Sequence, residues 1–203
     1  MSIITGIETS RGMVSVYADG SLALKIRKAH FDKLPLNTGD DIDLTAWENR
    51  LAPLQFADAW EAALTSLDRA ARTEKELRAS LARKGYVEPV IDAVIERLKE
   101  TDLLNDARYA ERMAELQSKR PVGLHAFKRK LAAKGISEDD AAEALSAFDE
   151  EQQKDACLAA ARTLCRKYEA LPHREARAKL SQALARRGFG WDAIESAVDQ
   201  LFD

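Results

Sequence analysis

Several chemistries are missing from this chain of 203 residues. It has two cysteines, Cys157 and Cys165, eight positions apart, a spacing that suits one helix face but neither a Cys-x-x-Cys redox pair nor a zinc site. They read as small core residues. Its three histidines, His30, His125 and His173, stand in unrelated contexts, so no metal-ligand or catalytic cluster emerges from them. The nine glycines are dispersed and build no phosphate-cradling loop. Aromatic residues make up only 6%. No apolar run is long enough to cross a bilayer, and the opening MSIITGIETSRG has neither the basic start nor the apolar centre of a signal peptide. The expectation is a soluble, cytoplasmic, non-enzymatic protein that needs no cofactor. The net charge of -3 gives no global pull toward a polyanion, so any nucleic-acid surface has to arise from local segregation of charge.

What is present is a repeat. Leu77-Arg-Ala-Ser-Leu-Ala-Arg-Lys-Gly-Tyr86 recurs as Phe127-Lys-Arg-Lys-Leu-Ala-Ala-Lys-Gly-Ile136 and as Leu180-Ser-Gln-Ala-Leu-Ala-Arg-Arg-Gly-Phe189. The glycines Gly85, Gly135 and Gly188 lie 50 and 53 residues apart, a period that marks an array of like modules. After each glycine an apolar stripe falls at the same offsets. It runs through Ile91, Val94, Ile95 and Leu98, then Ala141, Ala144, Leu145 and Phe148, then Ile194, Ala197, Val198 and Leu201. A further helix is expected before each copy, carried by Trp60, Leu64 and Leu67, by Tyr109, Met113 and Leu116, and by Leu158, Cys165 and Tyr168.

The joints carry their own chemistry. A glycine straight after a cation suits the left-handed position past a helix end, and the cation suits the negative pole of the helix dipole. Thr73 to Glu76 reads as a capping box, Ser137 and Asn105-Asp106 as helix starts, and Pro89 as a first-turn proline. Pro121-Val-Gly and Leu171-Pro-His break first from second helices, and Asp149-Glu150-Glu151 forms an acidic connector. Residues 1–46 differ. Val14, Val16 and Ala18 alternate with Met13, Ser15 and Tyr17, and Asp19-Gly20 then leads into Ser21–Ile26, which predicts a hairpin. That hairpin is expected to pack on Ile42–Leu44 or on the first helices.

The predicted fold is therefore mainly α: an elongated array of three tandem three-helix repeats with a small N-terminal β-hairpin extension. Its segments are 1–46, 47–102, 103–150 and 151–203. Cations gather on each middle helix and its joint. Arg69, Arg72, Arg83 and Lys84 serve the first copy, and Lys119, Arg120, Lys128, Arg129, Lys130 and Lys134 the second. Arg177, Lys179, Arg186 and Arg187 serve the third. These are the candidate contacts to a polyanion or an acidic protein surface, against the plainer reading of a solvated helix face.

Four stretches carry a resemblance. Arg69-x-x-Arg72-Thr-Glu-x-Glu-Leu-Arg-x-x-Leu-x-x-Lys-Gly-Tyr86, Leu103-Leu-Asn-Asp-x-Arg-Tyr-Ala110 and Arg120-Pro-x-Gly-x-x-x-Phe-Lys-x-Lys-Leu-x-x-Lys-Gly-Ile136 resemble the RecX family. Leu184-x-Arg-Arg-Gly-Phe-x-Trp-x-x-Ile194 is similar to that family's third module. The match runs from about residue 57 to the end. It implies a curved monomer that binds along the RecA filament on DNA and lowers its ATPase and strand exchange in recombination and repair. It also implies weak DNA binding (single- or double-stranded, without sequence specificity) and no cofactor, membrane or catalytic role. A helix of about 12 residues is about 18 Å long, so three modules end to end reach on the order of 60 Å, enough for neighbouring filament subunits. Two alternatives stand beside this: a stand-alone helical DNA-binding protein, and a protein scaffold with no nucleic-acid role.

Overall fold

The computed structural model describes residues 1–118, 122–146 and 148–202. Its described residues form mostly helices, with an antiparallel sheet at the N-terminus. The chain divides into two compact units, Met1–Asn105 and Asp106–Asp203.

The first unit opens with β1 (Ser2–Ser10), β2 (Met13–Ala18) and β3 (Ser21–Arg27), joined by two tight turns. Asp19 and Gly20 both take positive φ (50° and 79°), as the Asp-Gly pair predicts for a primed turn. Val14, Val16 and Ala18 point into the core. The expected hairpin is larger than anticipated: β1 pairs along β2, and the short β4 (Asp41–Ile42) pairs with the far edge of β1 to give the order β3-β2-β1-β4. Strand β1 lacks a clear alternation because only Ile4 is buried and the register slips between Ile4 and Gly6. Its turn, Arg11-Gly12, reaches positive φ (49° and 77°) without the usual Asn or Asp.

A short helix α1 (Lys28–Phe31) leads to the first helical trio: α2 (Leu44–Arg69), α3 (Glu74–Arg83) and α4 (Glu88–Glu100). Asp43 caps α2 by accepting from the Ala46 amide, 3.1 Å. Thr73 and Glu76 form the expected capping box, and Pro89 lies in the first turn of α4. Sheet and trio share one apolar core, in which Ile4, Val14, Val16 and Ile26 meet Leu51, Leu77, Leu81, Ile91 and Ile95.

Outside that core, Arg78 ties α3 to α4. It donates to Glu74 (2.8 Å), Glu88 (3.1 Å) and Asp92 (2.6 Å), while Lys99 reaches Glu74 at 2.6 Å. Burial works to raise the Glu74 pKa, but the bonds from Lys99 and Arg78 outweigh it and hold the carboxyl below the usual glutamate range. The stability this contributes is complete above the ordinary glutamate range and is lost as pH falls through the lowered folded value. Glu74→Gln is accordingly expected to flatten the acid side of the stability–pH curve. At neutral pH it is expected to cost about 1 kcal/mol, because the site is partly solvated. Urea unfolding across the acid range measures both.

The second unit holds two more trios, α5 (Asp106–Ser118), α6 (Leu124–Ala133) and α7 (Glu138–Ser146), then α8 (Glu150–Cys165), α9 (His173–Arg186) and α10 (Trp191–Phe202). Each has its own apolar cluster. Ser137 Oγ accepts from the Asp140 amide, 3.0 Å, as expected of a helix start, whereas Asp149, expected in an acidic connector, caps α8 by accepting from the Glu151 amide, 3.3 Å. The third-helix stripe is buried as its offsets predict, with Leu145, Phe148 and Leu201 at its edges.

The first-helix stripe is different from the expected one. Most of the buried residues there are small: Ala59 and Ala63, Ala110 and Ala114, and Cys157, Ala160 and Ala161, with Leu164 on α8 and Trp47 and Leu51 earlier on α2 as the larger ones. Trp60, Leu64, Leu67, Tyr109, Met113, Leu158, Cys165 and Tyr168 sit on the shoulders, and Leu116 is 56% exposed. In every trio the first helix packs against the third. The Ile, Val and Leu side chains of α4 and α10 already fill the interface, so only small residues let the facing helix approach. Cys157 fits the expected core role, and burial pushes its thiol pKa up to about 11. Such a thiol is inert.

Candidate nucleic-acid and protein interface

Each middle helix ends in the same way. Gly85, Gly135 and Gly188 have φ of 82°, 87° and 83°, a region that other L-residues rarely adopt. The amides of Gly85 and Tyr86 close back on Ala82 and Leu81, those of Gly135 and Ile136 on Ala132 and Leu131, and those of Gly188 and Phe189 on Ala185 and Leu184. This is a Schellman cap three times over, with the apolar residue after the glycine buried against its own trio. Lys84, Lys134 and Arg187 are thereby fixed at equivalent last positions, at the negative pole of each helix.

The surroundings of these cations then diverge. Lys84 is half-buried: desolvation first, then the nearby charges of Arg27 and Arg69, hold its pKa below the usual lysine range. Its ammonium donates to the Ala62 carbonyl at 3.4 Å and lines a groove of about 320 Å³ with Arg27, Asp58, Glu61 and Tyr86. Lys134 lies over the Tyr109 ring, 5.6 Å from its centre. Arg69, Arg72, Arg83, Lys128, Arg129, Lys130, Arg186 and Arg187 are exposed and have no carboxylate within ion-pair distance among the described residues. Arg177 is instead tied to Asp199, and Lys179 to Glu175 at 2.7 Å, so these two serve their own trio. Lys119 and Arg120 lie outside the described residues.

Two of the joints are sockets for another part of the chain. At Gly85, an added Cβ would sit 2.9 Å from the Arg27 nitrogen and 3.0 Å from Ile26 Cα, so the sheet closes directly on the backbone. Arg27 Nε donates to the Lys84 carbonyl (3.2 Å), and its guanidinium lies over the Tyr86 ring, 5.7 Å from the centre. Arg27 is not among the cations expected at the joints, because nothing local in a strand end reports a partner 57 positions away. At Gly188 the visitor is the first turn of α6. The amides of Gly123 and His125 donate to the carbonyls of Arg187 (3.2 Å) and Gly188 (3.0 Å), and Leu124 donates to Gln153 Oε1 (3.3 Å). Helix α6 has no side-chain cap of its own; the third trio supplies the acceptors. The basic face of α6 and the pair Arg186–Arg187 are thus brought to one place.

The histidines are structural in two cases. His30 is buried against Asp58 and Gln55, and His173 bonds the Phe202 carbonyl at 3.0 Å. Among the described residues no group of His, Cys, Asp and Glu could hold a metal ion, and no helix is long and apolar enough to cross a membrane.

Comparison with known proteins matches all three trios. Residues 59–98, 105–145 and 150–198 fit the models described as the first, second and third three-helix domains of RecX. A protein called regulatory protein RecX from Clostridium perfringens (strain 13 / Type A) is 34% identical over 209 residues, covering 99% of this chain and 97% of that relative. A crystal structure titled regulatory protein RecX superposes with a TM-score of 0.70 at 25% identity, covering 98% of this chain and all of that one. That of RecX from Lactobacillus salivarius gives 0.67 at 28% identity over 73% of this chain and 97% of that one.

Proposed function

The chain belongs to the RecX family, and from that premise we propose that it regulates a RecA recombinase by binding the RecA filament on DNA. Binding lowers the filament's ATP hydrolysis, strand exchange and growth. The protein acts without catalysis or cofactor, as a cytoplasmic monomer whose three repeats, 47–102, 103–150 and 151–203, follow the extension 1–46 along the chain. The observation that carries this reading is the set of cations beside the glycine joints, Arg69, Arg72, Arg83, Lys128, Arg129, Lys130, Arg186 and Arg187, which are exposed and have no carboxylate partner among the described residues. They meet acidic filament surfaces or DNA phosphates through many weak, salt-sensitive contacts. Regulation follows if the chain binds an altered filament arrangement better than the active one.

A stand-alone sequence-specific DNA reader is less well supported. In α4, the third helix of the first trio, Arg97 is tied to Glu100 at 3.0 Å and Lys99 to Glu74 and Glu96. No cation of that helix is left to read bases.

The test is DNA-stimulated ATP hydrolysis by RecA with and without this chain. Reversing Lys128, Arg129 and Lys130 to Glu is expected to raise the half-inhibitory concentration about tenfold or more, with helix content retained because all three are exposed. Lys179→Glu, at a residue bound to its own trio, is expected to change it far less. Full inhibition by the triple variant at moderate salt would remove α6 as the contact. No inhibition by the wild-type chain would remove the function.

A further inference from the structure

Three residues past the joint glycine the first two trios carry a carboxylate, Glu88 and Glu138, while the third carries Trp191. Seven residues before it stand Arg78, Lys128 and Ser181. In the first trio these two positions are bonded to each other, Arg78 to Glu88, and the lattice with Asp92 and Glu74 closes that face. In the third trio both members of the pair are replaced, and the Trp191 side chain stands 67% exposed in the first turn of α10. A carboxylate there gains from the helix dipole; an indole forfeits that gain and leaves a large flat apolar face in water. The other tryptophans are used by the fold, Trp47 in the core and Trp60 packed against it.

A lone surface indole is ordinary. The surroundings of this one are not. Arg186 and Arg187 end the helix before it, both exposed and without a carboxylate partner among the described residues. The first turn of α6 is bonded to the same joint, His125 N–H to the Gly188 carbonyl at 3.0 Å. Lys128 and Arg129 follow His125 by three and four residues, on the same face of α6, and are exposed. Asp192 and Glu195 supply negative charge on α10 itself. The cations of α9 and of the α6 face therefore gather at the joint that Trp191 follows by three residues, while α10 repels phosphate.

We propose that the third joint is a single-stranded DNA site, in which Trp191 stacks on an unpaired base and Arg186, Arg187 and the α6 face hold the adjoining phosphates. An indole stacks on any base, so the site is tolerant of sequence. A duplex keeps its base faces covered and cannot use the platform. This deepens the reading above, since it rests on the chain touching nucleic acid, and it assigns strand selectivity to the third repeat alone.

The full chain is titrated into a labelled oligothymidylate and, separately, into a labelled duplex, with binding followed by anisotropy and by tryptophan emission. Trp191→Ala is expected to weaken oligothymidylate binding about 5- to 100-fold, the range of one lost base–aromatic stack. Trp191→Phe retains most of the affinity, and duplex binding changes less than about twofold in either variant. Emission of the wild-type chain is quenched by the oligonucleotide, and Trp191→Phe loses that quench. Replacing Arg186 and Arg187 by Gln lowers the salt dependence for both DNAs. Unchanged single-strand affinity in Trp191→Ala overturns the proposal. If that variant also loses inhibition of RecA, the indole is a protein contact instead. A wild-type chain that inhibits RecA but binds no oligothymidylate sinks this site and leaves the filament reading standing. Trp191-dependent stacking with no effect on RecA does the reverse.

Discussion

Replacing Gly188 by alanine is expected to unfold the second unit or leave it without a cooperative transition. Two independent costs coincide at this position. Its φ of 83° penalises any side chain by about 1–2 kcal/mol. The new Cβ would also lie 2.2 Å from the Ala126 nitrogen and 2.8 Å from Ala126 Cα, main-chain atoms that no rotamer change moves aside. Helix α6 has to withdraw, and the Gly123 and His125 amides then lose their acceptors. With about 1–3 kcal/mol for each amide left unpaired, the total reaches roughly 3–8 kcal/mol, comparable with the whole stability of a small domain. Gly123→Ala separates the two costs. Its φ of -72° suits alanine, yet its Cβ would meet Gly188 main-chain atoms at 2.1 Å. It is expected to do nearly as much harm, and the double variant little more than the worse single one, because both break the same contact. Gly190→Ala, with nothing within 4 Å, serves as the neutral control. Thermal melts by far-UV circular dichroism measure all four. A Gly188→Ala protein that melts like the control would mean that α6 does not rest on this joint.

That contact is set by tertiary packing, which the local sequence does not encode. The joints themselves were legible, because a Schellman cap is a local device: a cation, a glycine and an apolar residue within a few positions specify it. The third helices were legible for the same reason, since Ile91 through Leu98 state a helical period on their own. The partners of those elements were not. Ala59 and Ala63 face the core because α4 across from them is bulky, and a helix read alone promotes its largest residues, Trp60 and Leu64, to the centre instead. Strand β1 is held by pairing on both sides rather than by alternation. In the candidate interface, Arg177 and Arg186 look alike as sequence. Only the fold shows that Asp199, 22 residues on, occupies the first and leaves the second exposed.

The other large effect belongs to the first joint. Gln55 is wholly buried on α2, and its amide is used at both ends: Nε2 donates to the Gly85 carbonyl (3.2 Å), and Oε1 accepts from the Val87 amide (2.9 Å). Nε2 also lies 3.3 Å from His30 Nδ1, while His30 Nε2 is 2.7 Å from Asp58. With the imidazole proton on Nε2, facing the carboxylate, Nδ1 is free to accept from Gln55, and every member of the chain is satisfied. Tyr86 completes the enclosure by donating to the Asp58 carbonyl, 2.9 Å. One side chain therefore joins α1, at the foot of the sheet, to the glycine joint of the first trio. Gln55→Leu keeps the bulk but orphans the Val87 amide, the Gly85 carbonyl and His30 Nδ1. At about 1–3 kcal/mol for each buried group, less about 1 kcal/mol gained from the apolar side chain, the expected loss is roughly 2–8 kcal/mol. Urea unfolding followed by tryptophan emission reads it, since Trp47 lies in the first unit's core and Trp60 packs against it. Asp58→Ala, at a half-exposed carboxylate that water can replace, is expected to cost only about 1 kcal/mol. Equal, small losses in the two variants would mean that the sheet is held by its apolar face alone. A loss confined to Gln55→Leu would instead identify this amide as the clasp that seats Arg27 against Lys84.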